Sequence, residues 1–405
     1  MNRKAAIISI SGFSLTKTEK DIIKKEKPWG VILFKRNVKS LNQITNLIIS
    51  IRKTIKDKKF PILIDEEGGR VSRLSKFIDN NLYSQRYFGK LYEKDKNIGE
   101  SIYKDYIFSL SLIFKKIGVN INTVPVLDLL HRRKHKIIGD RSYSLNPSIV
   151  KKLGNICIDS FKNNKIGTVA KHIPGHGRSL VDSHHELPVI KDKYLKLKKS
   201  DFKCFKDNKS QFAMTAHILY AKLDPKRNAT HSKKIIKEII RKKIGFKGIL
   251  ISDDISMKAL KYNIYQNAIL SLKAGCNLVL YCSGKSSEAR KLLKKMPYID
   301  EFTKKRRSDY KKLSTECINI LTKDTRISCS PPDSGFYLFI DIRKLGLDDF
   351  TFCSKLLEGY GTAITPGSSF GKPGFVRACF CKDINIVKDG LEDLAIDTPK
   401  DEEVE

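Results

Sequence analysis

The residues of this chain that could do chemistry are densest in residues 171–188, which read KHIPGHGRSLVDSHHELP. Four of the eight histidines lie there with an aspartate among them, namely His172, His176, Asp182, His184 and His185. Histidine and carboxylate groups ligate zinc, and histidine also exchanges a proton readily near neutral pH. The stretch is therefore compatible with a metal site or with acid/base catalysis.

The order of residues within this stretch disfavours the metal site. His172 and His176 have the spacing of a helical zinc pair, but Pro174 and Gly175 lie between them and interrupt a helix. The glutamate of the HExxH pattern is also missing. We therefore predict no metal ion at this stretch and no cofactor for the chain.

Other polar residues stand where short apolar runs end. Five runs are closed or followed by residues that titrate or hydrogen-bond, and these are Asp65, Asn122 with Asp128, Lys171 with His172, His217, and Asp253 with Asp254. A single aspartate after a strand is usually the N-cap of the next helix. Five such strand ends are better explained by one shared site.

The elements that must position these residues recur regularly. Eight short β-branched or apolar runs are present, at residues 5–11, 30–34, 61–65, 119–124, 167–172, 212–217, 248–253 and 276–281. Segments with helical spacing follow most of them. This alternation predicts an α/β fold, a (β/α)8 TIM-type barrel, in which the carboxyl ends of all strands meet at one mouth.

Composition narrows the possible partners and the compartment. The net charge is 78 − 44 = +34, but the lysines are scattered along the chain as on a solvated surface, so we predict no nucleic-acid partner. No apolar stretch is long enough for a membrane span, and we predict no membrane association. Nine cysteines without a CxxC pair do not form a disulfide pattern, which favours a cytoplasmic location.

Several blocks of the chain resemble one known family. In order and spacing they are similar to bacterial β-N-acetylglucosaminidases of glycoside hydrolase family 3, the peptidoglycan-recycling type. The resemblance covers residues 1 to about 300. The blocks are GVILFKRN, ILIDEEGGRVSRL, PVLDLL, IGDRSYSLNP, KHIPGHGRSLVDSHHELP, MTAHILY and GFKGILISDDISM.

The resemblance implies a catalytic set. Asp253 matches the family's nucleophile, which attacks the anomeric carbon and forms a covalent glycosyl-enzyme intermediate. His184 matches the acid/base, in the place that a second carboxylate takes in most retaining glycosidases. Asp182, two residues earlier, would orient the imidazole and stabilise its cation. Gly175 and Gly177 precede this loop, which we expect to move.

The resemblance also implies residues that bind the terminal N-acetylglucosamine. They are Asp65, Arg73, Arg141, Lys171 and His172. Carboxylates accept hydrogen bonds from sugar hydroxyls, while arginine and lysine donate charge-assisted ones. Arg70 is the rival of Arg73, which is preferred on the family spacing. His217 is a second-rank candidate, and His176 is expected to be structural.

These matches predict a β-N-acetylhexosaminidase that removes terminal non-reducing β-N-acetylglucosamine from muropeptides during cell-wall recycling. The chain would act as a monomer on this small-molecule substrate. The alternative is an inactive or sugar-binding degenerate barrel with a grafted tail. Retention of Asp253, Asp182 and His184 favours the enzyme.

The sequence changes character after the barrel blocks. We predict domains at residues 1–325 and 326–405, the second being a small α+β annex that resembles the C-terminal small-domain portion of class I pyridoxal-phosphate aminotransferases. Arg377, in GFVRACF, matches the arginine that holds the substrate carboxylate in that family. The domain that carries the Schiff-base lysine is absent, so no aminotransferase activity is predicted.

Overall fold

The computed structural model describes residues 3–131, 138–179, 181, 183, 186–323, 325–332, 337–380, 387 and 390–391, with the backbone alone for residues 300–309. The chain forms two compact units, residues 1–299 and 300–405. The division falls at the first residue of a helix, Ile299–Leu321. The predicted boundary at residue 325 instead assigns this helix to the barrel.

Eight parallel strands of the first unit form a closed barrel. In chain order they are β1 (Lys4–Ser9), β2 (Pro28–Leu33), β3 (Ile62–Ile64), β4 (Ile121–Asn122), β5 (Gly167–Ile173), β7 (Phe212–Thr215), β9 (Ile249–Asp254) and β10 (Leu278–Tyr281). Each overlaps one of the eight predicted runs. The predicted (β/α)8 TIM-type fold is therefore confirmed.

The alternation of side chains along each strand explains why these runs become barrel strands. Ile7 belongs to a cluster with one residue or more from every barrel strand, which fills the barrel interior. Its neighbours Ala6 and Ile8 belong to the larger cluster between the barrel and the helices. Both faces are apolar because both are covered, as expected of a parallel sheet.

Helices cover the outside of the barrel. They are α1 (Lys17–Glu26), α2 (Leu41–Ile55), α3 (Gln85–Lys94), α4 (Lys96–Ile117), α5 (Pro147–Asn163), α6 (Tyr194–Lys199), α7 (Asp201–Phe205), a π-helix (Ile235–Ile244), α8 (Ile264–Ala274) and α9 (Ser286–Lys295). Local sequence fixes their starts. Thr16 and Glu19 form a capping box at α1, and Asn146 caps α5 ahead of Pro147.

The seam between the first and last strands is closed within the first unit. β1 pairs with β10 in register, with Ala6 opposite Val279 and Ile8 opposite Tyr281. After α9 the chain returns to β1, where the Ala5 N–H donates to the Pro297 carbonyl at 2.9 Å. The barrel is therefore complete before residue 300, and α9 is the helix that follows its eighth strand.

The second unit is a small α+β structure with its own core. Its four-stranded sheet contains β11 (Ser328–Cys329), β12 (Tyr337–Asp341), β13 (Thr365–Pro366) and β14 (Phe375–Cys379), in the order β11-β12-β14-β13. The helices are α10 (Ile299–Leu321) and α11 (Asp349–Tyr360). Alternate residues of β12 and β14, such as Leu338 and Val376, pack with Phe352 in the core.

Two further observations concern helices and cysteines. None of the helices among the described residues combines the length and the apolar character that a membrane crossing requires. The eight cysteines in the described part of the chain are all free thiols.

Candidate active site

A cavity of about 270 Å³ lies at the carboxyl ends of the barrel strands. Its lining combines charged groups with a few apolar side chains. The residues are Phe34, Asp65, Glu67, Arg70, Val71, Arg73, Ile138, Arg141, Lys171, His172, His176, Ser183, Met214, Asp253, Asp254, Met257, Leu280 and Cys282. This is the mouth at which enzymes of this fold hold their chemistry.

Asp65 and Lys171 form the centre of the charged lining. The Lys171 ammonium, at the end of β5, donates to Asp65 Oδ1 at 3.1 Å and to Thr123 Oγ1 at 3.0 Å. Arg73 donates to Asp65 Oδ2 at 3.1 Å. Burial alone would raise the pKa of Asp65, but the cations of Lys171 and Arg73 hold it well below its usual range. The carboxylate is therefore ionised at neutral pH.

Glu67 joins Lys171 to Arg141. Its Oε1 lies 2.7 Å from the Lys171 ammonium, and Arg141 binds both of its oxygens, at 2.7 and 2.9 Å. Burial opposes ionisation, but Arg141 and Lys171 lower the pKa of Glu67 to about 2. The same ion pair outweighs burial and raises the pKa of Arg141. These groups form one network of fixed charges, in which Glu67 and Lys171 are buried and Arg141 is partly buried.

A glycine turn gives Glu67 its position after β3. Gly68 and Gly69 adopt φ values of +80° and +58°, and a Cβ on Gly68 would lie 2.1 Å from the Tyr83 carbonyl oxygen. Only glycine fits such a turn without displacement. Glu66 anchors the turn by accepting the Arg73 and Leu74 N–H groups at 2.7 and 2.9 Å.

His172 is held by Asp128, which follows β4. The His172 Nδ1 lies 2.6 Å from Asp128 Oδ2. Asp128 Oδ1 accepts the N–H of His172 at 3.3 Å and the N–H of His176 at 2.6 Å. Burial raises the pKa of Asp128, but His172 and His176 lower it further than burial raises it. One buried carboxylate thus fixes both ends of the segment 172–176.

His176 ends this segment, lines the cavity and contacts the loop that follows. Its Nε2 lies 3.2 Å from Ser183 Oγ, and its Nδ1 is buried without a partner among the described residues. Burial lowers its pKa to about 4, so the ring is neutral at pH 7. Close packing continues at Gly177, where a Cβ would lie 1.8 Å from the Leu129 carbonyl oxygen.

Asp253 and Asp254 close β9 and lie at the cavity. Asp253 Oδ1 accepts the N–H of Asp254 at 2.8 Å. Both carboxylate oxygens of Asp254 are used in local hydrogen bonds, because they accept from Ser256 and, at 3.1 Å, from the Cys282 N–H. Burial raises the pKa of Asp254. Both aspartates line the cavity, and Asp254 also ties the end of β9 to Ser256 and Cys282.

His217 supports this strand end from behind. Its Nε2 lies 3.0 Å from the Asp254 carbonyl oxygen, and its Nδ1 lies 2.8 Å from Thr230 Oγ1. An N–H at Nε2 donates to that carbonyl. Burial lowers the pKa of His217. Its side chain holds β9 rather than lining the cavity.

Two of the predicted catalytic residues, Asp182 and His184, lie outside the described residues, as does His185. The described residues around them are fixed to the barrel mouth. The N–H of Ala259 donates to the Ser183 carbonyl at 3.2 Å. The short strands β6 (Val189–Ile190) and β8 (Leu219–Tyr220) pair in parallel after the loop.

The structure brings together all the other predicted site residues. Asp65, Arg73, Arg141, Lys171, His172 and Asp253 all line the same cavity. Of the two rival arginines, Arg73 binds Asp65, whereas Arg70 donates to Asp140 Oδ1 at 2.8 Å.

Three residues that hold this site were not among the predicted catalytic or sugar-binding residues, although Asp128 was among the strand-end residues that predicted a shared site. They are Glu67, Thr123 and Asp128, which bind Lys171, Asp65 and His172. Glu67 follows Asp65 and Glu66 after β3, and Asp128 follows β4, so position after a strand is the signal that points to both. Their partners come from other strands and are not visible in local sequence.

Two sequence profiles match the chain. The profile of the Glycosyl hydrolase family 3 N terminal domain matches residues 2–307. The profile of Aminotransferase class I and II matches residues 247–392, which include the last two barrel strands as well as most of the second unit.

Zinc appears in one comparison. In the part of the chain that the structure describes, no group of three or more histidine, cysteine or acidic side chains is arranged to hold a metal ion. The crystal structure of NagZ from Neisseria gonorrhoeae in complex with zinc ion is 29% identical, covers 72% of this chain and 85% of that chain, and has a TM-score of 0.64. The absence of a metal from this chain stays a prediction.

Relatives named beta-hexosaminidase and NagZ are similar to the chain in sequence and in structure. A beta-hexosaminidase from Nitrosomonas eutropha is 32% identical over 288 residues, which are 69% of this chain and 81% of the relative. NagZ from Neisseria gonorrhoeae in complex with N-trifluoroacetyl-D-glucosamine is 30% identical, covers 72% of this chain and 85% of that chain, and has a TM-score of 0.65. The family profile, these relatives and the barrel mouth agree, and the chain belongs to glycosyl hydrolase family 3.

Proposed function

We propose that the chain is a retaining exo-acting β-N-acetylhexosaminidase that hydrolyses terminal non-reducing β-N-acetylglucosamine. The observation that carries this proposal is the cavity at the strand ends, where Asp253 faces a buried network of Asp65, Glu67, Lys171 and Arg141. Fixed, dehydrated charges of both signs suit the recognition of a neutral polyhydroxylated ring with an amide. The relatives named beta-hexosaminidase support the same activity.

In the proposed first step, an Asp253 carboxylate oxygen bonds to the anomeric carbon while the glycosidic C–O bond breaks. His184 gives its proton to the leaving oxygen, and Asp182 stabilises the ring orientation. In the second step, water attacks the anomeric carbon, His184 takes the water proton, and the bond to Asp253 breaks. The sugar is released with its β configuration retained.

The sugar would be held by Asp65, Arg73, Arg141, Lys171 and His172. Asp65 is ionised and accepts hydrogen bonds, while the three cations donate. The cations are already paired with buried carboxylates, so their positions are set before the substrate enters. Preorganised charge of this kind costs little reorganisation during the reaction.

We place the activity in peptidoglycan recycling, on N-acetylglucosamine-containing muropeptides in the cytoplasm, with the chain acting as a monomer. The resemblance of the loop and strand-end motifs to recycling-type enzymes supports this role. Residues 326–405 are proposed to be an aminotransferase-like annex without a cofactor of its own, which is supported by the partial profile match.

The activity is tested with 4-nitrophenyl N-acetyl-β-glucosaminide and the full chain. We expect steady turnover, and ¹H NMR of the reaction should show the β anomer of N-acetylglucosamine as the first product. An initial α product would exclude the retaining route. Equal inactivity of the wild type and of Asp253→Ala would instead favour the alternative, a degenerate sugar-binding barrel.

The nucleophile is tested separately by trapping. A 5-fluoro N-acetylglucosaminyl fluoride slows both steps, so the covalent intermediate accumulates, and mass spectrometry of the digested protein should place the sugar on Asp253. Asp254→Asn is the matched variant, because it removes the neighbouring carboxylate and should still be labelled. Label on another residue would contradict the assignment of Asp253.

A further inference from the structure

Asp128 is a buried carboxylate with no assigned task in the proposed reaction. Its exposed fraction is 0%, and it lies after β4, opposite the end of β5. Its Oδ1 accepts the N–H groups of His172 and His176, at 3.3 and 2.6 Å. Its Oδ2 lies 2.6 Å from Nδ1 of His172. Both oxygens are therefore used as acceptors.

This arrangement determines which nitrogen of His172 carries a proton. Asp128 is ionised, and an ionised carboxylate can only accept hydrogen bonds. The hydrogen on the 2.6 Å contact must therefore sit on Nδ1 of His172. Nε2 is the ring nitrogen left for the cavity, which His172 lines. A neutral imidazole then presents Nε2 to the sugar as an acceptor.

We propose that Asp128 is a positioning residue, which fixes the Nδ1–H tautomer of His172 and so the hydrogen-bonding role of His172 toward the sugar. This inference rests on the proposed glycosidase function, in which His172 binds substrate. Asp128 acts through His172 and does not line the cavity itself.

The variant Asp128→Asn separates the proposed effect of Asp128 on the His172 tautomer from the support that Asp128 gives to the backbone of residues 172–176. In Asp128→Asn, the single amide oxygen can replace Oδ1 and accept the N–H groups of His172 and His176. The amide NH₂ then faces Nδ1 of His172 and can only donate, which forces the hydrogen of a neutral ring onto Nε2. The same exchange in a serine-protease triad keeps the geometry and places the histidine in the wrong tautomer.

The tautomer is measured on the full chain labelled with ¹⁵N histidine, by two-bond ¹H–¹⁵N correlation at pH 8. His172 is assigned by its absence in His172→Gln. We expect a protonated Nδ1 for His172 in the wild type and an unprotonated Nδ1 in Asp128→Asn. An unprotonated Nδ1 in the wild type, or the same tautomer in both proteins, would overturn the proposal.

Steady-state kinetics give a second test of the role of Asp128. Asp128→Asn should raise KM and lower kcat/KM about 10- to 100-fold, the range for losing one buried hydrogen bond to the substrate. His172→Gln should cost a similar factor, and the double variant should cost no more than His172→Gln alone, because Asp128 acts through His172. If the losses of kcat/KM in the two single variants add up in the double variant, Asp128 acts through the stability of the fold and not through His172. That result would overturn the proposal.

Glu19→Gln is a matched control. Glu19 is also buried and accepts backbone N–H groups, from Ser11 at 2.8 Å and Thr16 at 2.9 Å, but it does not line the cavity. It should lower the urea midpoint and leave KM unchanged. If the wild type is inactive, the proposed function fails, while the NMR measurement still decides the tautomer.

Discussion

Two arginines, one in each unit, have different kinds of partner. In the barrel, the partly buried Arg141 makes two hydrogen bonds to the buried Glu67. In the second unit, Arg377 lies 4.4 Å from the Tyr337 ring centre and 3.8 Å from that of Phe370, and the structure records no ion pair for it among the described residues. A cation with a buried carboxylate partner belongs to a prepared polar site, whereas a cation stacked on rings needs no acid beside it.

The histidines are also distributed unevenly between the two units. All eight lie before residue 300, so the second unit has none. The barrel keeps several of its histidines neutral by burial, and His176 and His231 have pKa values lowered to about 4. Histidines, whose ordinary pKa lies between pH 4 and pH 7, are therefore confined to the unit that carries the cavity.

The largest expected effect is the loss of the nucleophile. Asp253→Ala should lower kcat/KM for the nitrophenyl substrate by about 10³-fold or more, because the covalent step cannot form. Arg377→Ala, the same truncation of a charged residue in the second unit, should leave kcat/KM within a factor of two. A large loss of kcat/KM in Arg377→Ala would contradict the assignment of hydrolysis to the barrel alone.

Paired core truncations test whether the units are stable independently. Phe114→Ala in the barrel and Phe352→Ala in the second unit each remove a fully buried ring. Each should cost about 3–5 kcal/mol of the unfolding free energy of its own unit. The single tryptophan, Trp29, lies in β2, so its fluorescence reports the barrel alone.

In urea titrations followed by Trp29 fluorescence, Phe114→Ala should move the midpoint and Phe352→Ala should not. Hydrolytic activity at 25 °C should survive in Phe352→Ala. A shift of the Trp29 transition in Phe352→Ala would show that the barrel depends on the second unit for stability.

The pH dependence should also differ between the units. A histidine whose pKa is lowered on folding adds stability that is complete above its unfolded value of about 6.5. For His176 and His231 this stability is lost as the pH falls from about 6.5 toward 4. Glu67 has a pKa lowered from 4.5 to about 2, so its contribution is lost between those values.

The barrel midpoint, read from Trp29, should therefore fall between pH 7 and pH 4.5, while the second unit's transition, read by calorimetry, should stay constant in that window. His231→Gln should flatten part of the barrel's dependence. Equal slopes for the two units would contradict the assignment of this dependence to buried histidines.

The smallest expected effect is on the stacked cation. Arg377→Gln removes two ring contacts at a partly exposed site, and should cost about 1 kcal/mol or less of the second unit's unfolding free energy. Calorimetry of the full chain measures it, with Lys355→Gln on α11 as a charge-matched surface control. A loss of unfolding free energy well above the about 3–5 kcal/mol expected for a buried ring would mean that Arg377 has a buried partner.

Much of the barrel could be predicted because its signals are local. Each strand is an apolar run, and the polar residues Asp65, Lys171 and Asp253 lie at strand ends that the fold brings together. The family assignment predicted from these blocks is confirmed by the profile match. Arg73 was preferred to Arg70 on spacing, and it is the arginine that binds Asp65.

The parts that could not be predicted depend on contacts between distant residues. Lys171 lies on β5 and Glu67 follows β3, so the two meet only when the barrel folds. The same holds for His172 and Asp128. The contact-based end of the first unit at residue 299 also depends on such contacts, because the helical spacing of α10 is compatible with either unit.

The closed seam has a consequence for synthesis on the ribosome. β1 is made first, but its edge stays open until β10 and the return segment to Pro297 have been translated. The remaining residues, 300–405, take at least several seconds at about 5–20 residues per second. The barrel therefore has the time and all the strands it needs to close while the second unit is still being made.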